Sequence, residues 1–299
     1  MEWHPLTTDL KYKETAVTIG KFDAIHRGHR LLIDDIVRRK ADGMRAVLMT
    51  FAAGREPLLF SDAERCETLS RLGVDTVIEL SLDAIGGYTA EEFIQKVVVE
   101  QLDVRHLVCG SDFRFGFERR GDTAMLEDFG RALRFSVHIY EQLQYKAENI
   151  SSSRIKEAFY RGEIEDVNAM LGYPVFITGT VIKGHQLGRT IGIPTANLAW
   201  PTDKMMPPKG VYAARVVHGQ RQFDGVANIG VKPTVSDDEQ PLIEVNIFDF
   251  TGDIYGEVIR VELFHMIRPE QKFNSIRALS DRLYRDVSLS KEFFQTLQR

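Results

Sequence analysis

Apolar and polar positions follow one rhythm in the first half of the chain and another in the second. "TAVTIG" (15–20) alternates and stops at a glycine, which predicts a strand. "HRLLIDDIVRRKADG" (29–43) places apolar residues on one helical face, then basic residues and a glycine stop, which predicts a helix. The same alternation continues. "MRAVLMTF" (44–51), "DTVIELSL" (75–82), "RHLVCG" (105–110) and "FSVHIYEQ" (135–142) read as strands. Helices over 61–74, 89–102 and 123–133 lie between them, the first two opening on capping boxes, Ser61 with Glu64 and Thr89 with Glu92. Strand and helix in regular turn predict an α/β doubly wound parallel sheet, whose ligands bind at the carboxyl ends of the strands.

Near Tyr173 the rhythm changes to short strands separated by Gly, Pro and Asp turns, which predicts a small antiparallel β-barrel. "VSDDEQP" (235–241) reads as a solvated loop. A helical region over 274–297 closes the chain, with a break expected near Ser288. The expected domains are residues 1–172 and 173–299. No internal repeat or low-complexity tract interrupts them.

Composition changes this picture little. The chain has 299 residues, 43% apolar and 27% charged, with a formal charge of −5. That balance argues against bulk nucleic-acid binding, which needs a basic face, and leaves room for a local nucleotide pocket. No run reaches the ~18 apolar residues of a membrane span, and no signal core opens the chain. Cys66 and Cys109 are the two cysteines and are expected as reduced thiols, so a cytoplasmic location is expected.

Chemistry concentrates in four places. "TIGKFDAIHRGH" (18–29) is a strand, a loop and a helix start, with His26 and His29 on one side of a turn and Gly28 allowing close backbone approach. It suits a phosphate cradle. A metal reading lacks further ligands nearby, and plain helix capping also accounts for the local pattern. "VCGSDFRFGFERRGD" (108–122) is a basic, aromatic loop after a strand. "ISSSRIKEAF" (150–159) puts Ser151 and Ser152 at a helix start, followed by Arg154, a group suited to phosphate. "GHQLGRTIGIPTANL" (184–198) combines Gly184, Gly188 and Gly192 with Thr195 and Asn197, two oxygen donors suited to Mg²⁺ beside a phosphate.

These motifs carry a resemblance. "HRGH" is similar to the HxGH motif of nucleotidyltransferases. The 108–122 loop resembles GxDFRFGxxRxGD, and 188–197 matches GRxxGxPTAN. Together they resemble the prokaryotic bifunctional riboflavin kinase/FAD synthetase family over about residues 15–287. The resemblance implies a nucleotidyltransferase domain that adenylylates FMN with ATP and a riboflavin kinase barrel that uses ATP and Mg²⁺. It implies nucleotide contacts from Gly20, Phe22, Asp23, Gly28, Asp112, Ser151, Ser152, Arg154, Gly184, Gly188, Arg189 and Gly192. It further implies His26 and His29 as transition-state donors, Thr195 and Asn197 at the metal, Glu244 as base on the flavin, and Arg268 and Phe273 on the flavin side. Riboflavin, FMN and ATP are the expected partners, with neither nucleic acid nor membrane.

Two departures stand in the first domain. Ala24 replaces the glycine of the family's FDG, and Ala52, Ala53 and Gly54 replace the acidic, proline and histidine positions of F-[DE]-P-H-P, with Arg55 a candidate replacement contact. They keep two other readings open: a riboflavin kinase with a spent adenylyltransferase domain, and a flavin- or nucleotide-binding regulator without turnover.

Overall fold

The computed structural model describes residues 1–51, 57–81, 85–184, 192–233 and 239–297. Its backbone divides into two compact units: residues 1–56 with 62–152, and residues 57–61 with 153–299.

The first unit is built on six parallel strands: β1 (Glu2–Pro5), β2 (Thr15–Gly20), β3 (Arg45–Phe51), β4 (Thr76–Leu80), β5 (Val104–Gly110) and β6 (Ser136–Tyr140). Their order is β1-β4-β3-β2-β5-β6. Helices cover both faces, so the strands are apolar on both. Val17, Ile19, Val47 and Met49 face one core with Phe93, Val97 and Leu126. Ala16, Ala46 and Leu48 face the other with Ile33 and Ile36 of α1 (Arg27–Arg38). The sheet thus matches expectation, except that β1 was not foreseen. "EWHP" has no apolar alternation, and only pairing along β4 makes it a strand.

Helix ends differ in detail. α1 begins at Arg27 because His26 caps it, and a 3₁₀ turn ends at Gly43, whose φ of +84° is left-handed. α2 is Asp62–Arg71. α3 (Ala90–Phe93) opens on the expected Thr89–Glu92 capping box, then widens into a π-helical run over Ile94–Gln101. α4 spans Thr123–Leu133. A short hairpin, β7 (Gln144–Tyr145) with β8 (Glu148–Asn149), leads to α5 (Ser152–Arg161).

The second unit carries α5, α6 (Ile164–Leu171) and a closed antiparallel barrel, order β10-β13-β12-β11-β14-β9. Its strands are β9 (Val175–Ile182), β10 (Ala196–Ala199), β11 (Gly210–His218), β12 (Arg221–Pro233), β13 (Glu239–Ile247) and β14 (Val258–Pro269). Residues 239–241 of the expected loop open β13, and 234–238 lie outside the described residues. α6 is stitched to the barrel by Asn168, which donates to the Leu263 carbonyl at 2.8 Å and accepts from Val175 N–H at 2.8 Å. Residues 57–61 also belong here: Leu58 bridges to Lys204, and Phe60 packs on Phe176 at 4.9 Å.

α7 (Ile276–Leu297) closes the barrel as one helix. The break expected near Ser288 does not occur. The Ser288 hydroxyl bonds back to the Tyr284 carbonyl at 3.2 Å inside the helix, and buried Ser290 donates to the Gly225 carbonyl at 2.8 Å.

Candidate functional sites

In the first unit the strand order reverses between β2 and β5, so the crevice outside their carboxyl ends is the expected binding place. The loop after Gly20 and the loop after Gly110 both start there.

His26 is the N-cap of α1, and its Nδ1 accepts from His29 N–H at 3.2 Å. The cap fixes the tautomer: Nδ1 is a lone pair, so neutral His26 carries its proton on Nε2. His29 is held the other way. Its Nδ1–H donates to the Ala24 carbonyl at 2.8 Å, leaving a lone pair on Nε2. The two rings stack at 3.7 Å with a 14° tilt, and Phe22 lies 4.6 Å behind His29. Burial pushes His26 down to about 2, with His29 beside it adding to the fall. Burial also lowers His29, to about 4, against upward pulls from the Ala24 carbonyl, Asp112 and Asp23. At neutral pH, then, His26 offers a donor and His29 an acceptor. His29 becomes a donor at Nε2 once an anion restores its proton.

Small residues make this packing possible. A Cβ on Gly28 would meet the His26 ring at 3.2 Å, and one on Gly110 would meet the Asp112 carboxylate at 2.9 Å. Gly20 lies similarly against Phe22, at 3.3 Å. Ala24 is buried and does not take a positive φ, so the missing glycine imposes no backbone strain. Its carbonyl instead orders both histidines, accepting from His26 N–H at 2.6 Å as well. Buried Arg65 of α2 donates to the Phe22 carbonyl at 3.2 Å and pairs with Asp62 at 2.9 Å. Nothing in the sequence near Arg65 points to this loop, because the contact joins residues far apart in the chain. Ser151, Ser152 and Arg154 stand at the opening of α5, as expected.

In the second unit Asn197 of β10 lies opposite Glu244 of β13, which lies opposite Asn228 of β12. Directly paired residues share a sheet face. Leu198, Ile243, Val245, Ala227 and Ile229 alternate with them and are fully buried, filling the barrel. Asn197, Glu244 and Asn228 therefore form a row across its outer face. The Gly184 backbone presses on this row: a Cβ there would sit 2.5 Å from Asn197 Oδ1. Asn197 is only 4% exposed and donates to the Thr195 carbonyl at 3.3 Å. Asn246 ties the same turn by donating to the Pro194 carbonyl at 2.7 Å. Gly192 has φ +77°, a conformation that favours glycine. Asn228 and Asn246 were not singled out in the sequence, since only the strand register reveals them.

Arg268 is held by the closing helix. Its Nε and Nη2 fork onto fully buried Asp286 of α7 at 3.0 and 2.7 Å, and its Nη1 donates to the Pro269 carbonyl at 3.0 Å. Phe273 lies under the same guanidinium at 5.8 Å. Gly188, Arg189 and the 52–55 segment lie outside the described residues.

With both sites in view, relatives can be compared. The riboflavin kinase family matches residues 171–294, and the FAD synthetase family matches residues 9–154. A bifunctional riboflavin kinase/FMN adenylyltransferase of Haemophilus influenzae is 37% identical over 294 residues, covering 94% of each chain. The chain belongs to this bifunctional family. Family members from Escherichia coli and Bacillus subtilis are 36% and 32% identical, across 92% and 94% of their lengths. A crystal structure described as a macrolide-efflux protein from Streptococcus pneumoniae shares the fold, with a TM-score of 0.84 and 30% identity over 97% of this chain and 99% of that one. Among the described residues, no helix is long and apolar enough to cross a membrane.

Proposed function

We propose that the chain carries out both reactions of its family, each at one of the two sites above. The observation that carries the kinase assignment is the register of Asn197, Glu244 and Asn228 on one barrel face. In the proposed reaction the ribityl 5′-hydroxyl of riboflavin attacks the γ-phosphorus of ATP, ADP departs, and Glu244 takes the hydroxyl proton. Thr195 and Asn197 form an all-oxygen donor set that fits Mg²⁺, and the lack of a side chain at Gly184 lets its backbone pass close against Asn197. Mg²⁺ there would neutralise charge on the phosphates. Phe273 and Arg268, whose guanidinium lies over the Phe273 ring, are the proposed flavin-side residues.

At the first unit, the FMN phosphate attacks the α-phosphorus of ATP and pyrophosphate departs, giving FAD. No protein nucleophile is needed. His26 donates from Nε2 to the developing negative charge, and the triphosphate draws a proton onto His29 so that it donates as well. Asp112 and Asp23 support this by holding His29 above the value burial alone would set. Ser151, Ser152 and Arg154 hold the departing pyrophosphate. Division at residues 172/173 remains the proposed functional boundary, and two unpaired thiols favour a reducing, cytoplasmic setting.

The test uses purified protein with riboflavin, ATP and Mg²⁺, and resolves flavins by chromatography. FMN followed by FAD is expected. FMN that accumulates without FAD, even when FMN is supplied directly, would leave a kinase alone. Neither product would leave a regulator.

A further inference from the structure

Away from both proposed reaction centres, Asp35 of α1 is buried with its side chain 3% exposed, and imidazoles from β5 and β6 converge on it. His106 Nε2 lies 3.2 Å from Asp35 Oδ1, and His138 Nδ1 lies 2.6 Å from Oδ2. Tyr140 donates to the same Oδ2 at 3.0 Å. The three prospective ligand atoms all lie within 4.8 Å of one another.

The outer partners fix how His106 points. Ser136 donates its hydroxyl proton to the Arg105 carbonyl at 3.1 Å, and its oxygen lies 2.7 Å from His106 Nδ1. With that proton spent, Ser136 accepts from Nδ1–H, and the Nε2 lone pair faces a carboxylate oxygen. Two lone pairs at that distance need a positive charge between them, either a proton on Nε2 or a metal ion. An imidazole whose second nitrogen donates to an oriented oxygen is the usual form of a metal-bound histidine. Arg38 and Arg39 also approach Asp35 Oδ1, at 4.0 and 3.7 Å; the Arg38 side chain is exposed and can swing away, and the Arg39 Nε is buried beside the carboxylate. His138 is half exposed, so its ring can open the short contact to ligand spacing.

We propose that Asp35, His106 and His138 form a binding site for one divalent transition ion of the Zn²⁺ class. Two imidazoles and one carboxylate select Zn²⁺ or Co²⁺ over the hard Mg²⁺ that phosphates use. The ion pins edge strand β6 to α1, the helix whose N-terminus carries His26 and His29.

The probe is Co²⁺, titrated without nucleotide into chelator-treated full-length protein, with Zn²⁺ as competitor. One equivalent with visible ligand-field absorption is expected, displaced by Zn²⁺ and not by excess Mg²⁺. His138→Ala changes a half-exposed residue, so the fold and near-UV circular dichroism should persist while affinity falls by ~100-fold. Should that variant not fold, Ser136→Ala removes only the orienting hydrogen bond and should weaken binding by ~10-fold, in the range seen for outer partners of metal sites. No stoichiometric uptake by the wild type, or unchanged affinity in folded His138→Ala or Ser136→Ala, overturns the site.

Discussion

His26 uses its two ring nitrogens for different work, and the two can be separated. Nδ1 caps α1, while Nε2–H faces outward for the reaction. Asparagine is a good N-cap, so His26→Asn should keep the helix and cost little stability, whereas alanine should cost ~1 kcal/mol. FMN-to-FAD conversion by His26→Asn should fall by ~10²-fold or more, as when a transition-state donor is lost, with riboflavin phosphorylation unchanged. Equal loss of both activities in a folded variant would contradict the site assignment. The buried imidazoles also set a pH dependence. His29 falls from 6.5 to about 4 on folding, so between those values the unfolded chain binds a proton that the folded chain refuses. Stability should therefore drop as pH falls through that window, by an amount on the order of 1–3 kcal/mol for partly buried His29. Denaturant melts of wild type and His29→Asn at pH 7 and 4.5 should show a smaller drop in the variant. On the kinase side, Gly184→Ala would drive a methyl into Asn197, so FMN formation should fall at least ~10-fold with FAD formation from supplied FMN retained. The histidines and glycines were legible because each motif is local. Asn228, Asn246, Arg65 and the Asp35 cluster were not, because their partners lie tens of residues away and only strand register or helix packing joins them.

At the scale of elements, periodicity foretold the central sheet and the barrel because buried strands must be apolar in a regular pattern. It missed β1, an edge strand made by pairing rather than by composition, and it overread Ser288 as a breaker. The closing helix depends on more than its apolar stripe. Asp286 is fully buried and receives Arg268 in a fork and Arg282 at 3.0 Å. Removing one partner of such a pair strands a buried charge, which costs ~3–5 kcal/mol. Asp286→Ala should therefore destabilise the barrel unit by about that much in a chemical melt. Arg268→Met should also destabilise it, by a smaller amount, because Arg282 still pairs with Asp286. If Arg268 instead touched flavin without holding α7, Arg268→Met would raise the KM for riboflavin and leave the melt unchanged.

For the whole molecule, the order of residues along the chain and the units they stabilise do not coincide. Residues 57–61 follow β3 of the parallel sheet in sequence, yet they belong to the barrel unit. Leu59 is fully buried and Phe60 nearly so. Phe60 packs at a tilt against Phe176, and the Lys204 ammonium lies over the Phe60 ring at 4.7 Å while donating to the Phe176 carbonyl at 2.8 Å. Deleting that ring leaves a cavity beside a buried cation, so Phe60→Ala should cost ~3–5 kcal/mol. The loss should fall on the barrel unit although the mutated residue lies among those of the nucleotidyltransferase unit in sequence. Hydrogen exchange would locate it: amides of β9 and of the 196–205 region should lose protection, while β2, β3 and β5 keep theirs. Protection lost in the parallel sheet instead would assign the segment to the first unit. By the same reasoning a fragment of residues 153–299 lacks Phe60 and should melt below the barrel unit of the full chain. A fragment beginning at residue 173 also loses the buried Val167, Met170 and Leu171 of α6 and should be weaker still.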